Sequence, residues 1–215
     1  MFKLKLPTDP RWVNIVEKNI CEILTDHAYC EQKAASNAIS LVILYPDKSE
    51  LVTAMLDLAK EELDHFQRVH EKIISRGLKL GRERKDEYVN LIYAFMRRGG
   101  SREQQLIDRL LFAAMIEARS CERFRVLSEN INDKELSAFY YELMISEANH
   151  YTTFIKFAKQ YASKPGLAVM NLAAGSMLGA PPKATVEGAQ ALGETYQNVR
   201  NYLNKTGQFT PKPPV

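Results

Sequence analysis

Glu62 and Glu147 each stand three residues before a histidine, His65 and His150, and each pair follows a further glutamate, Glu31 or Glu117, at nearly equal distance. From lone glutamate to pair the chain counts 31 residues in one case and 30 in the other, and the first set maps onto the second by shifts of 86 and 85. Residues three apart on a helix share a face, so each Glu-x-x-His offers one carboxylate and one imidazole to a single point. A glutamate from each of two helices, with Glu-x-x-His from each of two others, is the donor set of a paired divalent-metal site inside a four-helix bundle. Four carboxylates offset the charge of two divalent ions. Mixed oxygen and imidazole donors suit iron or manganese, whereas a structural zinc would favour cysteine.

Such a site needs four helices with matching depth, and the chain marks them. Thr8, Asp9 and Pro10 predict the entry to a first short helix, after which the helical run continues to Tyr45-Pro46. Asp47 with Glu50 reads as a capping box opening a second helix that ends near Gly77. Ser101 with Gln104 opens a third, and Asn132 with Glu135 a fourth that runs to about Ala162. Between the second and third lies a basic linker with an apolar stretch, Tyr88 to Met96, read as a short extra helix. The Arg97-Arg98-Gly99-Gly100 loop closes it.

On the second helix Leu51, Met55, Leu58, Glu62, His65 and Val69 recur at spacings of three and four, the pattern of a buried seam. Leu136, Tyr140, Leu143, Glu147, His150 and Phe154 repeat it on the fourth. Glu117 lies in the seam from Leu106 to Leu127, and Glu31 in that from Leu24 to Val42. Six ionisable residues therefore interrupt apolar faces, where a lone charge costs on the order of several kcal/mol unless paired or metal-bound. Glu62 and Glu147 each lie 15 residues past their expected caps, about 22 Å along their helices at about 1.5 Å per residue. Glu61 and Asp64 are expected to face solvent, and His70 and Glu122 to point away from the seam. His27, four before Glu31, reads equally as a neighbour of the site and as ordinary packing. The small residues Ala34, Ala35, Ala38, Ala113 and Ala114 read as room for oxygen and substrate, or as close helix packing.

With 215 residues, 46% apolar and 26% charged, the chain supports one principal core. The expected division is a bundle over residues 1–162 and a Gly/Pro-rich extension over 163–215, which holds 6 of the 10 glycines and 6 of the 9 prolines. A further helix from about Thr185 to Asn204 fits that extension. Cys21, Cys30 and Cys121 make no disulfide framework, so a reducing, cytoplasmic setting is expected. No apolar stretch of signal or membrane-spanning length appears. Net charge is +3, yet Arg68 to Arg109 carries 11 Lys or Arg against 6 Asp or Glu. Such a local excess fits a polyanionic partner or a solvated face.

Around the candidate ligands the sequence resembles a known family. Asp26-His27-Ala28-Tyr29-Cys30-Glu31-Gln32-Lys33-Ala34-Ala35-Ser36, Glu62-Leu63-Asp64-His65-Phe66, Glu117-Ala118-Arg119-Ser120-Cys121-Glu122-Arg123-Phe124 and Glu147-Ala148-Asn149-His150-Tyr151 are similar to segments of the MiaE family of tRNA hydroxylases. The likeness spans roughly residues 8 to 162. It implies an all-α, ferritin-like four-helix bundle with short extra helices. It further implies two iron ions in a non-haem di-iron centre, O2 as co-substrate and an electron donor. The implied reaction is a monooxygenase step that hydroxylates the isopentenyl group of a modified adenosine in tRNA. The implied metal ligands are the six that periodicity selects: Glu31, Glu62, His65, Glu117, Glu147 and His150. Lys79, Arg82, Arg84, Lys85, Arg97 and Arg98, taken together, are expected to hold tRNA phosphates. A monomer or small oligomer is expected. The rival readings are a ferritin-like oxidase or peroxidase, an iron-binding protein without a tRNA substrate, and a metal-free interaction module. A rubrerythrin-like arrangement is disfavoured, because paired cysteines for a rubredoxin-type iron are missing.

Overall fold

The structure of the protein is a computed structural model that describes residues 8–84, 89, 93, 96 and 99–162. Lys85, Arg97, Arg98, the whole extension from 163 and most of the expected Tyr88–Met96 helix lie outside these residues. Among the described residues every regular element is helical: a 3-10 turn Pro10–Trp12, α1 (Val13–Lys18), α2 (Ile20–Leu44), α3 (Ser49–Ser75), α4 (Arg102–Asn130) and α5 (Lys134–Ala162).

Helix boundaries follow local chemistry. Asp9 caps the first turn, its carboxylate accepting from the Arg11 amide at 2.9 Å, and Pro10 fills the position where a missing N–H costs nothing. Asn19, at φ −133° and ψ 37°, breaks the run between α1 and α2. The Ser101/Gln104 box forms as expected: Ser101 N–H donates to Gln104 Oε1 at 2.9 Å, and Gln104 N–H to Ser101 Oγ at 3.2 Å. At Gly77 (φ 67°) α3 ends in a Schellman turn, Gly77 N–H donating to Ile74 O at 2.9 Å and Leu78 N–H to Ile73 O at 3.1 Å.

Two caps differ from expectation, each by one residue. Lys48, not Asp47, takes the N-cap position of α3, and the Asp47 carboxylate pairs with Lys48 Nζ at 3.0 Å. At α5 the cap is Asp133, whose Oδ1 accepts from Leu136 N–H at 3.0 Å. Asn132 is tied instead to Glu17, which accepts from its backbone and side-chain amides at 2.8 and 2.9 Å. Both errors have the same sign, so Glu62 and Glu147 are each 14 residues past their true caps.

The chain divides into two units, Met1–Lys85 with Glu117–Thr152, and Asp86–Ile116 with Thr153–Val215. In the first, short turns make α2 and α3 one antiparallel hairpin and α4 and α5 another. A core of Val13, Val16, Leu24, Ala28, Val69, Ile73, Phe124, Leu127, Leu136, Phe139, Tyr140 and Leu143 fills this unit, with Leu78 and Leu80 packed against it. Arg76 near the end of α3 reaches Asp133 at 2.9 Å and Glu135 at 2.8 Å, and Lys72 meets Glu135 at 2.6 Å. Cations at a helix C-terminus thus face acids at a helix N-terminus, which suits both dipoles. Within the second unit, Tyr93 stacks edge-on to Phe112 with centroids 5.9 Å apart.

Candidate metal centre

All six seam residues are buried, none more than 4% exposed, and all lie in the first unit. They gather into two overlapping groups, Glu31, Glu62, His65 and Glu147, and Glu62, Glu117, Glu147 and His150. Within each group one ligand-capable atom from every residue lies within 4.8 Å of the others. Glu62 and Glu147 belong to both groups, as bridging carboxylates between two ions would.

The imidazoles turn Nδ1 inward. His65 Nδ1 lies 3.4 Å from Glu62, 3.7 Å from Glu31 and 3.9 Å from Glu147. His150 Nδ1 lies 2.9 Å from Glu62 and 3.9 Å from Glu147. Close as they are, these atoms are not aligned as hydrogen bonds. Among the described residues, both Glu62 oxygens, Glu147 Oε1, His65 Nδ1 and His150 Nδ1 are buried without a hydrogen-bond partner. Buried polar groups are normally satisfied, so lone pairs that converge unsatisfied fit a cation at their common focus. The donor set also fits two hard or borderline divalent ions.

Electrostatics show the strain of holding these groups together. Burial pushes Glu62 up to about 8 against the opposing pull of the nearby His150 and His65 imidazoles, and the charges of Glu31 and Glu117 add to the rise. Glu117 is raised chiefly by burial. Glu147 is held well above the carboxylate range by burial and by the charges of Glu117, Glu31 and Glu62. Burial opposes charge on Glu31 too, but adjacent His27 outweighs it and holds this carboxylate low. His65 is raised to about 10 and His150 to about 9, because neighbouring glutamates outweigh the desolvation that opposes their charge.

Two neighbours extend the site. His27 Nε2 stands 2.5 Å from Glu31 Oε1, which decides between the two readings of that histidine. Glu61 is exposed as expected, and it also reaches the site. Its side chain is half-exposed, yet Oε2 lies 3.1 Å from His150 Nε2, Oε1 lies 4.0 Å from His65 Nε2, and Oε1 accepts from Ser146 Oγ. A carboxylate behind a ligating imidazole fixes its tautomer and orientation. The signal available in the sequence was Glu61's place beside Glu62, but its reach to another helix depends on how α3 and α5 pack. Asp64 is exposed as expected, His70 stacks on Phe66, and Glu122 accepts from Thr8 at 3.0 and 2.9 Å.

The basic residues are partly engaged. Arg68 pairs with Glu142, Lys72 with Glu135, and Arg76 with Asp133 and Glu135, so these three of the excess cations serve the α3–α5 contact. Residues 78–84 run along α2, held by one helical stripe. Cys21 Sγ contacts Lys79 O at 3.6 Å, Gly81 N–H donates to Thr25 Oγ1 at 3.2 Å, Tyr29 donates to Gly81 O at 3.1 Å and Lys33 to Arg84 O at 3.4 Å. A Cβ at Gly81 would meet Thr25 Cγ2 at 3.2 Å, which explains a glycine at this close approach. Lys79 and Arg82 are exposed on this strap, while Arg84 pairs with Glu22 at 3.1 Å.

Residues 2–174 match the family model described as tRNA-(MS2IO6A)-hydroxylase (MiaE). The chain belongs to the MiaE family. The match begins before residue 8 and runs past residue 162, so family likeness extends further at both ends than the quoted segments do. The chain is 36% identical over 165 residues to the tRNA 2-(methylsulfanyl)-N(6)-isopentenyladenosine(37) hydroxylase of Pseudomonas putida, covering 77% of this chain and 79% of that one. It is 30% identical to the enzyme of the same name from Salmonella typhimurium, covering 75% and 77%. Among solved structures it resembles Protein 43 with aldehyde deformylating oxygenase activity from Synechococcus, at a TM-score of 0.70 and 33% identity over 84% of this chain and 90% of that one. The fold is accordingly all-α and ferritin-like. No helix among the described residues is long and apolar enough to cross a membrane.

Proposed function

We propose that this MiaE-family protein is a non-haem di-iron monooxygenase that hydroxylates the isopentenyl group of a prenylated adenosine in tRNA, working in the cytoplasm. The observation that carries the reading is the pair of overlapping donor groups sharing Glu62 and Glu147, in a chain whose named relatives are tRNA hydroxylases. Glu31 and His65 would hold one ion, Glu117 and His150 the other, and Glu62 and Glu147 would bridge them. Two iron ions bound there supply activation of O2, with two electrons and two protons, so that one oxygen atom enters a C–H bond and the other leaves as water.

The chain's own residues do the rest. Burial of all six donors would keep bulk water from the ions, and the same unit holds a core of buried apolar side chains such as Leu24, Phe124 and Leu143. Glu61, accepting from Ser146 and lying 3.1 Å from His150 Nε2, would orient that histidine. Lys79, Arg82 and Arg84 on the strap, with Lys85, Arg97 and Arg98, would hold tRNA phosphates, and such binding weakens steeply with salt. The reductant would be a separate electron donor.

Mass analysis of nucleosides tests this reading, using tRNA incubated with iron-loaded protein, O2 and a chemical reducing system. The expected result is a gain of one oxygen atom on the prenylated adenosine. Intact iron without that gain refutes the substrate assignment, and protein that takes up no iron refutes the metal reading.

A further inference from the structure

The first glutamates of the two halves correspond through a sequence shift of 86, and the correspondence fails one helical turn before them. Four residues before Glu31 stands His27, whereas four before Glu117 stands Ala113. His27 is 7% exposed and sits among aromatic rings, with centroids 4.8 Å from Phe124, 5.6 Å from Tyr140 and 6.2 Å from Phe139. Its hydrogen bond there goes to Glu31 Oε1, at 2.5 Å, and its Nδ1 is buried without a partner. A carboxylate can only accept, so Nε2–H is the donor in this contact. With Oε1 engaged, Oε2 is the oxygen turned towards the centre, 3.7 Å from His65 Nδ1.

We propose that His27 is a positioning residue that confines Glu31 to metal binding through a single oxygen, and that it thereby makes the Glu31/His65 position unlike the Glu117/His150 position. The two ion positions differ although their six donors are matched in type. The consequence is one protein oxygen fewer on the His27 side, which favours that position for an exogenous ligand. The cage of rings serves this role, since it packs round the imidazole while, among the described residues, Nδ1 makes no hydrogen bond. This inference rests on the metal reading given above.

Anaerobic titration with Fe(II), combined with Mössbauer spectra of 57Fe-loaded protein, tests it on wild type, His27→Phe and His27→Gln. Wild type should bind two ions and show two distinct iron environments. Phenylalanine keeps the ring packing but loses the donor, so affinity for one ion should fall by about 10–100-fold while the other is unchanged, with the matching iron signal altered. Glutamine restores a donor to Oε1 and should return both readouts towards wild type. Where phenylalanine does not pack, His27→Leu removes the same donor. Unchanged affinities and spectra in the donor-less variants overturn the proposal, even with a lower melting temperature, because packing alone would then account for His27. Wild-type protein that binds fewer than two ions overturns the metal reading itself, and this inference with it.

Discussion

Glu147 separates stability from function in opposite directions. It is 2% exposed, and its carboxyl is raised well above 4.5 by burial, then by the charges of Glu117, Glu31 and Glu62. In metal-free protein the folded chain therefore keeps a proton that the unfolded chain releases. A group whose pKa rises on folding carries no penalty below its unfolded value, and stability falls as pH climbs from there towards the folded value. At pH 7 the loss cannot exceed about 3.4 kcal/mol, from roughly 2.5 pH units above the unfolded value at about 1.36 kcal/mol each. Glu147→Gln keeps the shape and removes the titration. Without metal the variant should be more stable at pH 7, by no more than that loss, and should melt above wild type. Near pH 4 the difference should vanish.

Metal reverses the sign. An ion at a concentration one hundred times its Kd stabilises the folded state by about 2.7 kcal/mol, and an amide cannot supply the charge that Glu147 would share between two ions. Calorimetric melts at pH 4 to 8, in chelator and in anaerobic Fe(II), read both limbs. The variant should melt above wild type in chelator at pH 7 and below it with Fe(II). A variant that melts lower in chelator at pH 7, or gains as much from Fe(II) as wild type, refutes the reasoning.

Two further outcomes follow from single contacts. Glu61→Ala should lower iron affinity by about 10–100-fold in chelator competition, since His150 Nε2 loses the carboxylate 3.1 Å away, while Glu61→Gln should retain most of it. Gly77→Ala should destabilise by about 1–2 kcal/mol in denaturant melts. A Cβ there meets nothing within 4 Å, so the cost comes only from the left-handed backbone at φ 67°; an undiminished stability would contradict the Schellman assignment.

Much of the bundle was legible because helix signals are local and the decisive relation was a difference. Asp47 and Asn132 were each one residue early as caps, yet the equal offset left Glu62 and Glu147 at matched depth, which absolute positions could not have guaranteed. The side chains that share a face were legible from spacing, and the structure brings all six within two overlapping groups. Contacts between helices were not legible in this way. Arg68, Lys72 and Arg76 counted towards a basic stretch, but their partners Glu142, Glu135 and Asp133 lie 57 to 74 residues away on α5 and at its cap. Glu61 shows the same limit more sharply. On α3 alone it lies off the seam and faces water, and only the packing of α5 beside it brings His150 within reach of its carboxylate. His27 lies between these cases, since spacing placed it one turn from Glu31, but only the contact of its Nε2 with Glu31 Oε1 distinguishes an oriented donor from a residue that merely fills space among the three surrounding rings. A repeated motif therefore announces what two halves share, whereas their chemistry is distinguished by unrepeated neighbours such as His27 and Glu61.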